Sequence, residues 1–154
     1  MSEIKLRKAT LKDSPDVLCW RNDPVAVAVS FNKKLVDKLE HKQWFAKVLK
    51  DKRRRLFIAV SKSGEKIGVI RFDLINNKFA EVSINLEPSM RGKGYGAKII
   101  DLGTRKMKGI NLLARTKESS SASIRVFEKA GYSRLFDYID KTQDFVQVLG
   151  KASR

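Results

Sequence analysis

The alternation of apolar and polar residues predicts one strand followed by two helices at the start of the chain. Residues 3 to 8 alternate as a strand does, and Ser14 followed by Pro15 fits the first positions of a helix. Asn22-Asp23-Pro24 ends that helix. A second helix is predicted over residues 37 to 51, because its apolar positions recur every three and four residues. They are His41, Trp44, Phe45, Val48 and Leu49.

The period then changes to two, which predicts a meander of three strands over residues 55–61, 66–75 and 78–87. The remaining predicted elements are a helix over 94–108, a strand over 112–115, a helix from Ser123 to Ala130 closed by Gly131, and strands over 132–139 and 143–149. The resulting order, βααβββαβαββ, predicts an α+β fold with helices on both faces of one sheet.

Length and composition indicate one folded domain over residues 1–154, because 154 residues fit one core and 42% are apolar. No apolar run approaches the roughly 18 residues of a membrane span, and the first residues lack the apolar core of a signal peptide. We therefore expect a cytoplasmic protein without a membrane partner. The only cysteine is Cys19 and the only histidine is His41, so no metal site is expected.

The net charge of +16 favours an anionic partner, which could be nucleic acid, an anionic membrane or a small ligand rich in phosphate. Residues 52–55 form the only dense basic run, and aromatic residues are not interleaved with the basic ones. This distribution disfavours nucleic acid.

Residues 84–96 have the most distinctive chemistry in the chain. A strand ends there, the chain turns through three glycines and a helix begins, so main-chain N–H groups and the positive end of the helix dipole converge. This arrangement suits an anion, and we expect a side chain at Gly94 or Gly96 to hold a pyrophosphate away from those N–H groups. The spacing matches neither a dinucleotide fingerprint nor a P-loop.

Residues 91–96 match the R/Q-x-x-G-x-G/A signature of the GCN5-related N-acetyltransferase (GNAT) superfamily, and residues 123–132 resemble its second cofactor-side segment. The resemblance implies an acyltransferase that uses acetyl-CoA as cosubstrate. It also implies a mixed, mostly antiparallel sheet of about seven strands, splayed open between the strand before the turn and the strand at 112–115. Pantetheine would lie in that splay.

The same resemblance assigns the cofactor-binding residues. Main-chain N–H groups of the turn would hold the pyrophosphate: Arg91, Gly92, Lys93, Gly94, Tyr95 and Gly96. Ser120 occupies the place of an asparagine that usually touches pantetheine, and Phe127 replaces a tyrosine that often protonates the leaving thiolate. Arg125 and Lys129 lie on the cofactor side, where they either pair with the ribose phosphate or remain solvated cations.

The amino-terminal segments 20–24 and 41–45 resemble the branch that acetylates nucleotide-linked amino sugars, as in the pseudaminic acid pathway. Residues 25–29 are apolar where that branch often has arginine. Arg21 and Asn22 are expected either to contact the acceptor or to cap the first helix. His41 is expected to be either a hydrogen-bonded structural histidine or a substrate contact.

The strand before the turn supplies the candidate catalytic groups. Glu81, Ser83 and Asn85 alternate onto one face, which we expect to line the acceptor pocket. Glu81 is the predicted general base, with a salt-bridged structural carboxylate as the alternative. The N–H of Leu86 is the predicted oxyanion donor, exposed by a bulge that the resemblance implies. Cys19 is expected to be buried and inert, so transfer should be direct.

Three alternatives remain open at this stage. Two of them are acetyltransferases that differ in their acceptor, which is either a nucleotide-linked amino sugar or a peptide amino terminus, as in ribosomal-protein acetyltransferases. The third is a basic nucleic-acid-binding module that keeps the fold without catalysis. The sequence also leaves the oligomeric state open.

Overall fold

A computed structural model describes residues 3–153 as one seven-stranded sheet in the order β1-β2-β3-β4-β5-β7-β6. The strands are β1 (Ile4–Lys8), β2 (Arg54–Ser61), β3 (Lys66–Leu74), β4 (Phe79–Leu86), β5 (Asn111–Lys117), β6 (Ser133–Ile139) and β7 (Phe145–Lys151). The helices are α1 (Ser14–Asn22), α2 (Pro24–Val29), α3 (Lys38–Lys50), α4 (Tyr95–Arg105) and α5 (Ser121–Lys129). Only β4 and β5 pair in parallel among these strands. The predicted fold class is confirmed.

Helices cover both faces of the sheet, because the central strands are apolar on both sides. On β2, Ile58 packs with Trp20 of α1 and Phe45 of α3, whereas Phe57 and Ala59 belong to the core beneath α4 and α5. Successive strand residues point to opposite faces, so one strand contributes to two cores. The α1 and α3 side is called the acceptor face below, and the α4 and α5 side the opposite face.

Helix α2 was not predicted. The first helix does end at Asn22, as expected, but Asp23 then caps a new helix by accepting hydrogen bonds from the N–H groups of Val25 (3.1 Å) and Ala26 (3.4 Å). Pro24 takes the first helical position. The sequence pattern failed here because none of the six helical residues is buried, so the helix has no amphipathic period to detect.

Among residues 3–153, no helix combines the length and the apolarity that crossing a bilayer requires.

Candidate active site

The sheet opens between β4 and β5. Their pairing is restricted to Phe79–Asn111, Ala80–Leu112 and Glu81–Leu113, although β4 continues to Leu86 and β5 to Lys117. On its outer edge, each strand stays paired along nearly its whole length, β4 with β3 and β5 with β7. The two halves of the sheet therefore diverge beyond Glu81 and leave a wedge. This wedge is the splay implied by the sequence resemblance.

Main-chain N–H groups of β4 point into the wedge. The N–H of Glu87 donates to the carbonyl of Ile67, at 2.9 Å, on the β3 side. Because successive N–H groups of a strand point to opposite edges, that of Leu86 points towards the wedge. The bulge predicted at Leu86 is absent, since the β3–β4 register is unbroken from Gly68–Leu86 to Leu74–Ala80. Divergence of the parallel neighbour exposes this N–H instead.

The glycine turn places the amino terminus of α4, which no side chain caps, beside the wedge. Gly92 (φ +73°) and Gly94 (φ +86°) both adopt the left-handed conformation that other residues disfavour. Gly94 is the N-cap of α4, no side chain caps it, and the first turn of α4 carries no acidic residue. The first N–H groups of α4 are therefore available to an anion.

Gly96 is also required for the packing of two helices. A Cβ at this position would lie 2.9 Å from Cγ1 of Val126 on α5. The missing side chain lets α4 and α5 pack closely. This contact joins helices that are far apart in sequence, so the sequence did not indicate it, and the expected role of Gly96 beside a pyrophosphate stays a prediction.

The side chain of Arg91 is directed away from the first turn of α4. Its Nη1 lies 2.6 Å from Oδ2 of Asp23, and its Nη2 donates to the carbonyl of Leu86 at 3.3 Å. The hydrogen bond from Arg91 holds the pKa of Asp23 below its usual range. Arg91 therefore links the glycine turn to the cap of α2, and its main chain is the part left to face an anion.

Helix α5 presents few polar groups near its buried side. Ser120 is buried and its hydroxyl donates to Ser123, at 2.8 Å, whereas Arg125 and Lys129 are exposed. Phe127 lies in the core edge-on to Tyr132, with 5.2 Å between ring centroids. Burial raises the pKa of Tyr132 to about 12, although Thr104 shares a hydrogen bond with its hydroxyl.

Glu81, Ser83 and Asn85 share the acceptor face of β4, as predicted, while Ala80 and Val82 are buried on the opposite face. Nε of Arg115 donates to Oε2 of Glu81 at 2.6 Å. This hydrogen bond, and a weaker one from Arg115 to the hydroxyl of Tyr138 at 3.4 Å, raise the pKa of Arg115. Glu81 is thus ion-paired, and within residues 3–153 its Oε1 has no hydrogen-bond partner.

Two further charged residues complete this face and were not identified from the sequence. Arg71 and Asp73 of β3 stand opposite Ser83 and Glu81 in the register, and Nε of Arg71 donates to Asp73 at 3.0 Å. The sequence signal that could have found them is their alternation on β3, which places both on one face of that strand. Once β3 is paired correctly with β4, that face lies beside Glu81. Arg115 was missed in the same way.

Arg21 and Asn22 shape the segment between α2 and α3. Nη2 of Arg21 donates to the carbonyl of Asn32 at 2.5 Å. The amide of Asn22 donates to the carbonyl of Val36 at 2.8 Å and accepts from its N–H at 3.0 Å. Both side chains therefore hold the main chain of this segment in place.

His41 is 3% exposed, and its Nδ1 lies 3.1 Å from the hydroxyl of Ser14. Its ring packs against Trp44 and Phe45, at 5.5 and 5.6 Å between centroids. The structural alternative from the sequence analysis describes this position, and a direct contact of His41 with substrate does not.

His41 should make stability depend on pH. Burial, with a smaller effect of the nearby charge of Arg21, lowers the pKa of His41 below 6.5. The unfolded chain then takes up a proton near pH 6.5 that the folded chain does not. The contribution of His41 to the free energy of unfolding is therefore complete above that pH and is lost as pH falls through it. We expect the melting temperature to fall from about pH 7.5 to about 5.5, and the fall to shrink in His41→Gln. An unchanged pH dependence in the variant would contradict this assignment.

Cys19 is exposed, which corrects the expectation of a buried thiol. The buried positions of α1 are Ser14, Val17 and Trp20, spaced three apart, and Cys19 lies outside that stripe. Within residues 3–153, no group of three or more His, Cys, Asp or Glu side chains is arranged to hold a metal ion.

Comparisons with known proteins agree with this geometry. Residues 3–133 match the family model of the acetyltransferase (GNAT) domain. Spermidine N-acetyltransferase from Vibrio cholerae, solved with CoA and spermine, superposes with a TM-score of 0.84 at 16% identity, covering 96% of this chain and 94% of that one. An aminoglycoside acetyltransferase solved with coenzyme A gives 0.82 at 18%, covering 97% and 95%.

A candidate phosphinothricin N-acetyltransferase gives a TM-score of 0.80 at 25% identity, covering 99% of both chains. No curated protein sequence matches significantly. None of these three structures belongs to the amino-sugar branch that the amino-terminal segments resemble. The matched domain covers most of the chain, so the protein belongs to the GNAT family and is an N-acetyltransferase that uses acetyl-CoA as cosubstrate to acetylate an amine.

Proposed function

We propose that residues 1–154 form one acetyltransferase domain that moves an acetyl group directly to a primary amine of a nucleotide-linked amino sugar. The observation that carries this proposal is the β4–β5 wedge, because at the wedge β4 presents two kinds of group. Main-chain N–H groups of β4 point into the wedge, and Glu81, Ser83 and Asn85 point to the acceptor face. An acyl donor in the wedge and an amine on that face would meet at β4.

The cofactor side has the groups that acetyl-CoA needs. The uncapped N–H groups at the start of α4, with the turn residues 91–94 before it, suit the pyrophosphate. Ser120 stands before α5, next to the end of β5, where it would border pantetheine. Arg125 and Lys129 are exposed cations suited to an outer phosphate.

The chemistry requires a proton acceptor for the amine and a donor for the developing oxyanion. Acetyl-CoA supplies a thioester carbonyl and a thiol leaving group. Oε1 of Glu81 is the available acceptor, directly or through a water, and the N–H of Leu86 is the oxyanion donor. A thiol of pKa about 8.5 leaves without strong acid catalysis, so the replacement of tyrosine by Phe127 is tolerable.

The acceptor assignment rests on charge and on the amino-terminal resemblance. A net charge of +16 attracts a diphosphate-bearing acceptor. The carboxylates of Asp73 and Glu81 are each paired with an arginine, and these pairs reduce the negative charge that the face offers to a polyamine. Arg21 and Asn22 contribute by holding the segment between α2 and α3, whose Phe31 lies over Arg115. The acceptor face of β3, β4 and β5 beside this segment is called the groove.

An acceptor panel tests the proposal. Purified protein is given acetyl-CoA and, in separate reactions, a nucleotide-linked amino sugar, the same free amino sugar, spermidine, or a peptide with a free amino terminus. Release of coenzyme A thiol measures transfer. We expect kcat/KM for the nucleotide-linked amine to exceed the others by about tenfold or more. Preferential acetylation of the peptide or of spermidine would refute this acceptor and leave the acetyltransferase activity standing.

A further inference from the structure

Two arginines and a serine form a row across three strands of the acceptor face. Arg71 of β3 stands opposite Ser83 of β4 in the register. Arg115 of β5 lies two residues beyond Leu113, the partner of Glu81, and therefore at the level of Ser83 on the parallel strand. The row crosses the point where the wedge begins.

Each of these arginines is held by a carboxylate in the neighbouring row. Nε of Arg71 donates to Asp73 at 3.0 Å, and Nε of Arg115 donates to Glu81 at 2.6 Å. Asp73 and Glu81 are themselves directly opposed in the β3–β4 register, and the arginines neutralise what would be a repulsive pair.

An aromatic ring also restrains each guanidinium. The guanidinium of Arg71 lies 5.3 Å from the centroid of Trp44 on α3, and that of Arg115 lies 4.9 Å from the centroid of Phe31, between α2 and α3. A guanidinium held by a carboxylate at Nε and by a ring at its face has lost much of its rotational freedom. Less entropy is then lost when it binds a ligand.

The outer edges of the two guanidinium groups remain available for binding. A guanidinium has five N–H donors, and the carboxylate uses the one at Nε in each case. Arg115 uses one more in its 3.4 Å contact with Tyr138. Both side chains are partly exposed, at 29% and 45%. Two oriented forks, on the strands that flank β4, suit the oxygen atoms of a phosphate or carboxylate.

We propose that Arg71 and Arg115 form an anion-binding subsite that holds the phosphate or carboxylate group of the acceptor. The inference deepens the proposed function, since it rests on a groove that receives a nucleotide-linked amine. The subsite fixes the anionic part of the acceptor beside Ser83, and Glu81 is one residue pair away from it on the same face. Arg115 would thus orient two groups: the acceptor, and the carboxylate of Glu81 that receives the proton of the acceptor amine.

Anion titration of the coenzyme-A-saturated protein tests the subsite without relying on activity. Saturation with coenzyme A occupies the α4 amino terminus, and calorimetry then follows binding of inorganic pyrophosphate or of malonate. We expect Arg71→Gln and Arg115→Gln each to weaken anion binding about tenfold, because a charge-assisted fork is lost. The tighter anion identifies phosphate or carboxylate as the preferred group. Glutamine keeps a polar partner for Asp73 and Glu81.

Arg105→Gln is the matched control, because it removes one positive charge at the far end of α4. Its anion affinity should stay within about twofold of the parent, since exposed distant charges are screened by salt. Arg71→Lys and Arg115→Lys, which keep charge but lose the fork, should show an intermediate loss. An unaltered coenzyme A thermal shift shows that each variant is folded.

The subsite is refuted if the parent binds neither anion, or if Arg105→Gln weakens binding as much as the groove variants do. With substrate, Arg71→Gln should raise KM for the nucleotide-linked amine about tenfold and leave KM for the free sugar unchanged. Arginine-dependent anion binding without acetylation of either sugar would overturn the proposed acceptor while supporting the subsite.

Discussion

Replacing Gly94 with glutamate should abolish the stabilisation that acetyl-CoA confers on the parent protein. Gly94 is the N-cap of α4 and has φ +86°, so a side chain there is strained and a carboxylate adds negative charge at the anion site. At about 100 times Kd, a ligand adds about 2.7 kcal/mol, or roughly 5–10 °C in a domain of this size. The variant should show no shift at the same concentration. Differential scanning fluorimetry with and without millimolar acetyl-CoA measures both.

Gly109→Glu separates loss of binding from loss of stability. Gly109 has φ +79° and no atom within 4 Å of a Cβ, so the substitution has the same backbone cost and the same charge. It lies beyond the carboxyl end of α4, away from the turn. Gly109→Glu should therefore lower the melting temperature and retain the acetyl-CoA shift. A parent protein that shows no shift, or a Gly94→Glu protein that keeps it, would contradict this role of the turn.

The sequence was sufficient for features that depend on local pattern. The glycine turn, the alternation that places Glu81 on the polar face, and the ends of most elements all follow from neighbours in the chain. The opening between β4 and β5 had a different source. No residue on either strand marks where pairing stops, so the splay was available only through the family resemblance.

Features that depend on distant contacts were missed. The close packing of Gly96 on Val126 is one of them, because the two residues are 30 positions apart and lie in different helices. Arg91 carries the family signature, yet its side chain pairs with Asp23, 68 positions earlier. Neither partner is visible before the helices are packed.

Arg71 and Arg115 show that the fold can bring together residues that nothing in the local sequence distinguishes. Each is one of 33 basic residues, and nothing in its local sequence sets it apart. Strand pairing sets Arg71 opposite Ser83, and an ion pair joins Arg115 to Glu81 on the same face. The aromatic rings that restrain the two arginines come from segments that are not strands. The large positive charge indicated an anionic partner, and the subsite proposed for it depends on contacts that only the fold brings about.

Glu81→Gln should lower kcat by about 100-fold or more, the usual effect of removing a general base. The glutamine oxygen can still accept the hydrogen bond from Arg115, so the substitution removes proton acceptance with little change in shape. Release of coenzyme A thiol at saturating acetyl-CoA and acceptor measures kcat in the parent and in the variant.

Two comparison variants identify the cause of the loss. Asp101→Asn removes an arginine–carboxylate pair on α4, outside the groove, and should leave kcat unchanged. Cys19→Ser should keep most of the activity, since direct transfer makes no use of the exposed thiol on α1. A change confined to KM in Glu81→Gln would make Glu81 a positioning residue for Arg115. An acetylated Cys19 trapped during turnover would replace direct transfer with an acyl-enzyme, and the base would then have to act on the thiol.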